Sequence, residues 1–80
     1  MQTEDMMLLS RTRDMVASGK ARELRLAAGL SLGDVAQTAG LSTSAVWRFE
    51  NGQRVPRGAG AIRYGRVLAV LDREASHDAR

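Results

Sequence analysis

A chain of 80 residues with a net charge of +3 is the size of one small domain with a modest core. It has no cysteine, and its lone histidine, His77, lies in a polar tail without a set of converging ligands, so we expect no metal, no other cofactor and no enzymatic activity. No apolar run is long enough for a bilayer and the first residues are acidic, so we expect a cytoplasmic protein without membrane contact.

Helical periodicity runs through the chain, and no alternating strand pattern interrupts it. We therefore expect an all-α fold, a compact bundle of about five helices. The helices are predicted at about residues 4–17, 20–28, 32–39, 43–50 and 59–71.

The first predicted helix is rich in methionine and leucine, with Met6, Leu9 and Val16 on one stripe. Two interpretations stay open for this helix. It packs on its own bundle and enlarges a small core, or its adaptable methionines mediate dimerisation or bind another protein.

Residues 32–51 are the most informative stretch, because they combine two short helices with a tight turn. Gly40 supplies the positive φ of the turn, and Ala36 is small enough for the helices to cross closely. The inward positions of both helices are apolar, namely Val35, Ala39, Leu41, Val46 and Phe49. The combination predicts a helix-turn-helix whose second helix enters the major groove of DNA; two core helices without a DNA role are the alternative.

The outer face of that second helix is the candidate base-reading surface. Because Val46 and Phe49 face the core, the opposite side carries Thr43, Ser44, Trp47 and Arg48. Arg48 is the best candidate for direct readout, because a guanidinium can donate two hydrogen bonds to O6 and N7 of guanine. We expect Trp47 to contact a thymine methyl or a sugar edge; the alternative is a ring folded against Leu41 or a neighbouring helix.

Basic residues are concentrated in the middle of the chain. Residues 20–66 hold eight basic side chains against three acidic ones, and acidic residues flank them on both sides. This distribution is typical of a surface that meets a polyanion, and an ordinary solvated surface is the alternative. Contacts to phosphates position a protein without reading sequence, and helix N-termini also bind them. The candidate phosphate-binding residues are Lys20, Ser42, Asn51, Gln53, Arg54 and Arg57.

The last predicted helix has more apolar surface than one core contact needs. Tyr64 and Leu68 follow the spacing of a core-facing stripe. A second apolar stripe remains beyond it, formed by Ile62, Val67 and Val70. We therefore expect a contact between two copies of the chain on this side.

The segment from Lys20 to Leu71 resembles the Cro and phage-repressor type of helix-turn-helix, the XRE-like family. The resemblance is most specific from Ser42 to Gly52, a segment that ends in Glu50-Asn51-Gly52 and is followed by Arg54 and Pro56. It implies a lambda-repressor-like DNA-binding domain whose relatives bind operator DNA, usually as dimers.

The family pattern also assigns a structural role to two charged residues. It implies a partly buried ion pair between Arg25 and Glu50, which orients the second helix of the motif. Leu32 departs from the pattern, because the family often has a glutamine there that clamps a phosphate.

The expected organisation is an N-terminal helical extension (1–19), a helix-turn-helix DNA-binding domain (20–72) and a polar C-terminal tail (73–80). The expected function is a sequence-specific transcription regulator of double-stranded DNA, of the phage-repressor or Cro-like kind. We expect a homodimer on an inverted-repeat operator, with the N-terminal helix as a candidate site for a protein partner. The alternatives are an antitoxin-type DNA-binding partner of a toxin, and a protein-docking helical module without DNA readout.

Overall fold

Residues 2–78 form five helices in the computed structural model of the chain. The side chains of His77 and Asp78 and all of Met1, Ala79 and Arg80 lie outside the described part. No helix within this part is both long enough and apolar enough to cross a membrane. The helices are α1 (Thr3–Ser18), α2 (Lys20–Ala27), α3 (Leu32–Ala39), α4 (Thr43–Glu50) and α5 (Gly58–Asp78).

The predicted all-α bundle is confirmed, and the bounds of α3 and α4 coincide with the predicted ones. The last helix runs from Gly58 to Asp78, so it continues well beyond Leu71. No glycine or proline follows Gly65 to stop it, and Asp72 forms an ion pair with Lys20 of α2 at 3.3 Å. Residues 73–78, assigned by sequence to a polar tail, are therefore helical.

Short-range hydrogen bonds explain the start of each helix in the central pair. The Ser31 hydroxyl accepts from the amide of Asp34, and the Asp34 carboxylate accepts from the amide of Ser31, both at 2.9 Å. These two bonds form a capping box, and they lower the pKa of Asp34 below its usual value. The Ser42 hydroxyl accepts from the amide of Ala45 at 3.1 Å and begins α4 in a similar way.

The turn between α3 and α4 depends on Gly40. Its φ of 68° is left-handed, a conformation that side chains with a Cβ adopt only at a cost. The amide of Leu41 donates to the carbonyl of Ala36 at 2.8 Å, which closes the turn. Chain direction therefore changes within three residues, and α4 is brought back across α3.

The main core lies where α3 and α4 cross and meet α5. Ala36 is 2% exposed at the crossing, and Val46 is fully buried beneath it. The ring of Phe49 packs against the ring of Tyr64, with a centroid distance of 5.2 Å. The buried members of this core are Ala21, Val35, Ala36, Ala39, Val46, Phe49, Tyr64 and Leu68.

The N-terminal helix packs on its own bundle, mainly along α5. Leu9 and Thr12 are buried there, and Ile62 is only 7% exposed because Leu8 and Leu9 pack against it. The expectation that Ile62 lies in an unpartnered stripe is therefore wrong. Of that stripe, only Val70 remains exposed, and Val67 is half-buried.

We expect Gly65→Ala to lower the free energy of unfolding by about 1–3 kcal/mol, although alanine is the better helix former. An added Cβ would overlap the hydroxyl oxygen of buried Thr12 and approach Cγ of Leu8 to 3.1 Å. Urea denaturation of the purified variant measures the change.

Gly33→Ala is the matched control within α3. Its Cβ would meet the hydroxyl oxygens of Ser31 and Thr43 at ordinary distances of 3.7 and 3.8 Å. This variant should be as stable as the parent, or more stable by up to about 1 kcal/mol. Equal stabilisation by both substitutions would contradict close packing of α1 on α5.

Candidate nucleic-acid interface

The structure places four predicted base-reading residues on one exposed face of α4. Val46 and Phe49 are buried on the opposite face, together with Ala45. Trp47 is 43% exposed, a high value for the largest aromatic side chain. The exposed side chains are Thr43, Ser44, Trp47 and Arg48. They form a surface of donors, a methyl group and an aromatic ring, backed by apolar packing.

The N-terminal turns of α3 and α4 lie side by side. An ideal Cβ on Gly33, in the first turn of α3, would be 3.8 Å from the hydroxyl oxygen of Thr43. The first amides of each helix have no intrahelical acceptor, and they carry the positive end of the helix dipole. Two such ends together favour an anion such as a phosphate. Ser42, which caps α4, lies at this place.

The loop after α4 carries most of the other candidate phosphate-binding residues. Gln53, Arg54 and Arg57 are exposed, and neither arginine forms an ion pair with a carboxylate of the described residues. Asn51 is engaged differently, because its side-chain amide donates to the carbonyl of Trp47 at 2.9 Å. Asn51 thus caps the C-terminus of α4, and this bond uses one of the two N–H donors of its side chain.

Lys20, which was also predicted to bind a phosphate, is paired with an acidic residue of the chain, unlike Arg54 and Arg57. Its ammonium group lies 3.3 Å from the carboxylate of Asp72 on α5. Both side chains are substantially exposed, at 51% and 35%. A phosphate at Lys20 would therefore compete with an internal partner.

Arg63 on α5 supports the turn of the motif, a contact that sequence reasoning missed. Its Nε donates to the carbonyl of Ala39 at 2.8 Å, and its Nη2 is 3.4 Å from the carbonyl of Gly40. These carbonyls end α3, where a cation is favourable. Nothing in the local sequence indicates this pairing, because the partners are more than 20 residues apart.

Arg25 and Glu50, which the family pattern places against one another, form a bidentate ion pair. Nε donates to Oε2 at 2.7 Å and Nη2 donates to Oε1 at 2.9 Å. The side chains are only 10% and 3% exposed. Nη1 of Arg25 also donates to the carbonyl of Leu30 at 2.9 Å, which ties the α2–α3 turn to the pair.

The environment of the Arg25–Glu50 pair shifts the pKa values of two groups, Arg25 and Tyr64. The hydrogen bonds to Glu50 raise the pKa of Arg25 above its already high usual value. Tyr64 is fully buried close by, and burial raises the pKa of its hydroxyl. The guanidinium of Arg25 therefore stays positively charged over the whole accessible pH range. The pair attaches the C-terminal end of α4 to α2.

We expect Glu50→Gln to lower the free energy of unfolding by about 3 kcal/mol, because it leaves the buried guanidinium of Arg25 without a counter-charge. Chemical denaturation at neutral pH measures this loss. Asp72→Asn, which removes the exposed partner of Lys20, is the matched control and should cost no more than about 1 kcal/mol. Small, equal losses for both variants would contradict a structural role for the buried pair.

Comparison with known proteins agrees with this geometry. A family model described as a helix-turn-helix domain matches residues 18–77, three quarters of the chain. The matched region contains α2 to α4 and nearly all of α5, and it excludes almost all of α1. No curated protein and no solved structure matches the chain. The family match confirms the resemblance found in the sequence.

Proposed function

The chain belongs to the helix-turn-helix domain family, and we propose that it is a sequence-specific transcription regulator that binds double-stranded DNA. Membership of this family indicates a DNA-binding regulator. The exposed face of α4 is the observation that supports sequence-specific binding. Its outward side chains can reach base edges, while Val46 and Phe49 fix the helix from behind.

In the proposed complex, α4 lies in the major groove, which is about 12 Å wide and admits an α-helix. Arg48 donates two hydrogen bonds to a guanine. Thr43 and Ser44, in the first turn, contact a base or a neighbouring phosphate, and the ring of Trp47 contacts a thymine methyl or a sugar edge. Arg48 is exposed and has no ion-pair partner among the described residues, so this contact displaces no internal bond.

The phosphate contacts surround α4 in this proposal. Ser42 and the first amides of α4 hold one phosphate, and Arg54, Arg57 and Gln53 hold the backbone at the other end of the helix. Asn51 contributes mainly by capping α4, since its side-chain amide is bonded to Trp47. Lys20 is an outlying contact that must first release Asp72.

We further propose a homodimer that binds an inverted-repeat operator and acts as a repressor of the phage or Cro-like kind in the cytoplasm, without enzymatic activity. Two-fold pairing places the two recognition helices about 34 Å apart, one turn of DNA. An apolar groove between α3 and α5 supports this pairing, because Val35, Val67, Val70 and Leu71 line it and Val70 is half exposed.

The first test separates base reading from phosphate binding. A duplex selected from a random DNA pool and a scrambled duplex of equal length are compared by fluorescence anisotropy at one salt concentration. Arg48→Ala should weaken binding to the selected duplex by about 5- to 150-fold and leave the scrambled duplex almost unchanged. Arg54→Ala should weaken both duplexes by a similar factor. If Arg48→Ala also affects both duplexes alike, α4 does not read bases through Arg48.

The second test measures how affinity depends on salt. Released counterions give a slope of log K against log salt of about −0.9 for each phosphate contact. Arg54→Ala and Arg57→Ala should each reduce the magnitude of the slope by about 0.9 per bound protomer. Affinity that does not change between about 50 and 200 mM salt would exclude phosphate neutralisation and favour a protein-docking module instead.

A further inference from the structure

A cavity of about 350 Å³ lies between α4, the following loop and the start of α5. It is placed beside the proposed DNA surface, and base reading does not use it. Ala45 and Phe49 come from α4, Ala61 comes from α5, and Arg54 and Arg57 come from the loop. Its volume is at the lower end of the range for small-molecule sites, about 300–1,000 Å³.

The floor of the cavity is apolar, whereas polar groups contribute most of its accessible lining. Phe49 is 4% exposed, and Ala45 and Ala61 are similarly buried, so they form a closed floor. Val55 stands at the rim and is 52% exposed. A half-exposed valine beside a closed apolar floor leaves hydrophobic surface that a ligand of matching shape would cover.

The opening of the cavity is cationic. Arg54 and Arg57 line it, and neither forms an ion pair with a carboxylate of the described residues. A guanidinium presents paired donors in one plane, which match the two oxygens of a carboxylate. A wholly polar anion would gain from the arginines but would leave the apolar floor uncovered.

We propose that this cavity binds a small organic carboxylate whose apolar part is about the size of one aromatic ring. The apolar part covers Phe49 and Val55, and the carboxylate accepts hydrogen bonds from Arg54 and Arg57. The same two arginines contact DNA phosphates in the proposed function. The ligand and DNA therefore compete for them, and the ligand acts as an effector that releases DNA; this second part depends on the proposed function.

Phenylacetate is the probe, titrated into the full ¹⁵N-labelled chain without DNA. We expect saturable shifts of the amide signals of Ala45, Val55 and Ala61. Acetate, which lacks the ring, and 2-phenylethanol, which lacks the charge, should bind at least about tenfold more weakly, because each loses one half of the recognition. Equal affinity for acetate, inorganic phosphate and phenylacetate would show a simple anion site and overturn the proposal, as would the absence of saturable binding.

Two half-exposed valines provide a matched pair of variants. Val55→Gln removes apolar surface at the rim and should weaken phenylacetate binding at least about fivefold. Val70→Gln changes a valine of similar exposure, 45%, in the groove between α3 and α5, and should leave phenylacetate affinity unchanged. Both positions are on the surface, so both variants are expected to fold. Equal affinity of the two variants for phenylacetate would place the ligand elsewhere.

The effector part is tested by adding phenylacetate to the complex with the selected duplex. Mutually exclusive binding predicts that phenylacetate at ten times its own Kd raises the apparent Kd for DNA about tenfold per protomer. An unchanged Kd in the presence of saturating phenylacetate would overturn the effector part. If phenylacetate does not bind while DNA still binds, only the proposal for the cavity is overturned. If phenylacetate binds while DNA does not, only the proposed function is overturned.

Discussion

The bidentate ion pair between Arg25 and Glu50 is the interaction on which the orientation of α4 depends. A buried ion pair contributes little net stability, since desolvation offsets most of the attraction. The pair instead fixes geometry, because Glu50 must face inward to meet the guanidinium of Arg25. The guanidinium is itself held in place by its hydrogen bond to the carbonyl of Leu30. Arg48 lies two residues earlier, about 200° around the helix axis, so it faces outward. The pair and the apolar packing of Val46 thus select the same exposed face.

The other supports of the interface come from parts of the chain outside the motif. Arg63 of α5 holds the carbonyls at the end of α3, close to the turn that leads into α4. Arg13 of α1 donates from Nε to the carbonyl of Pro56 at 3.0 Å. Pro56 is buried and lies between Arg54 and Arg57 in sequence, so α1 anchors the loop that carries both cations. The N-terminal helix, almost wholly outside the region matched by the family, therefore supports the candidate interface at a distance.

The loop after α4 combines two properties, exposed arginines and a share in the lining of a cavity. Its arginines are exposed and lack carboxylate partners within the described chain, which suits a polyanion. The same arginines line a cavity with an apolar floor that includes Phe49, a residue that also packs on Tyr64 in the core. In our proposals, DNA and a small carboxylate share these cations. The fold then links a ligand cavity to DNA affinity by competition, without a change in the shape of the bundle.

Local sequence was sufficient for the bounds of α3 and α4, because Ser31, Gly40 and Ser42 act through hydrogen bonds or backbone conformation within a few residues. Helical periodicity was also sufficient to place Thr43, Ser44, Trp47 and Arg48 on one outer face. The pairing of Arg25 with Glu50 came from family resemblance, since charges 25 residues apart carry no local signal. Only tertiary structure decided that α1 covers Ile62, that Arg63 reaches Ala39, and that Arg54 and Arg57 share a cavity with Phe49. Periodicity shows which side chains share a face of a helix, but the neighbour that covers this face is chosen by packing among all five helices.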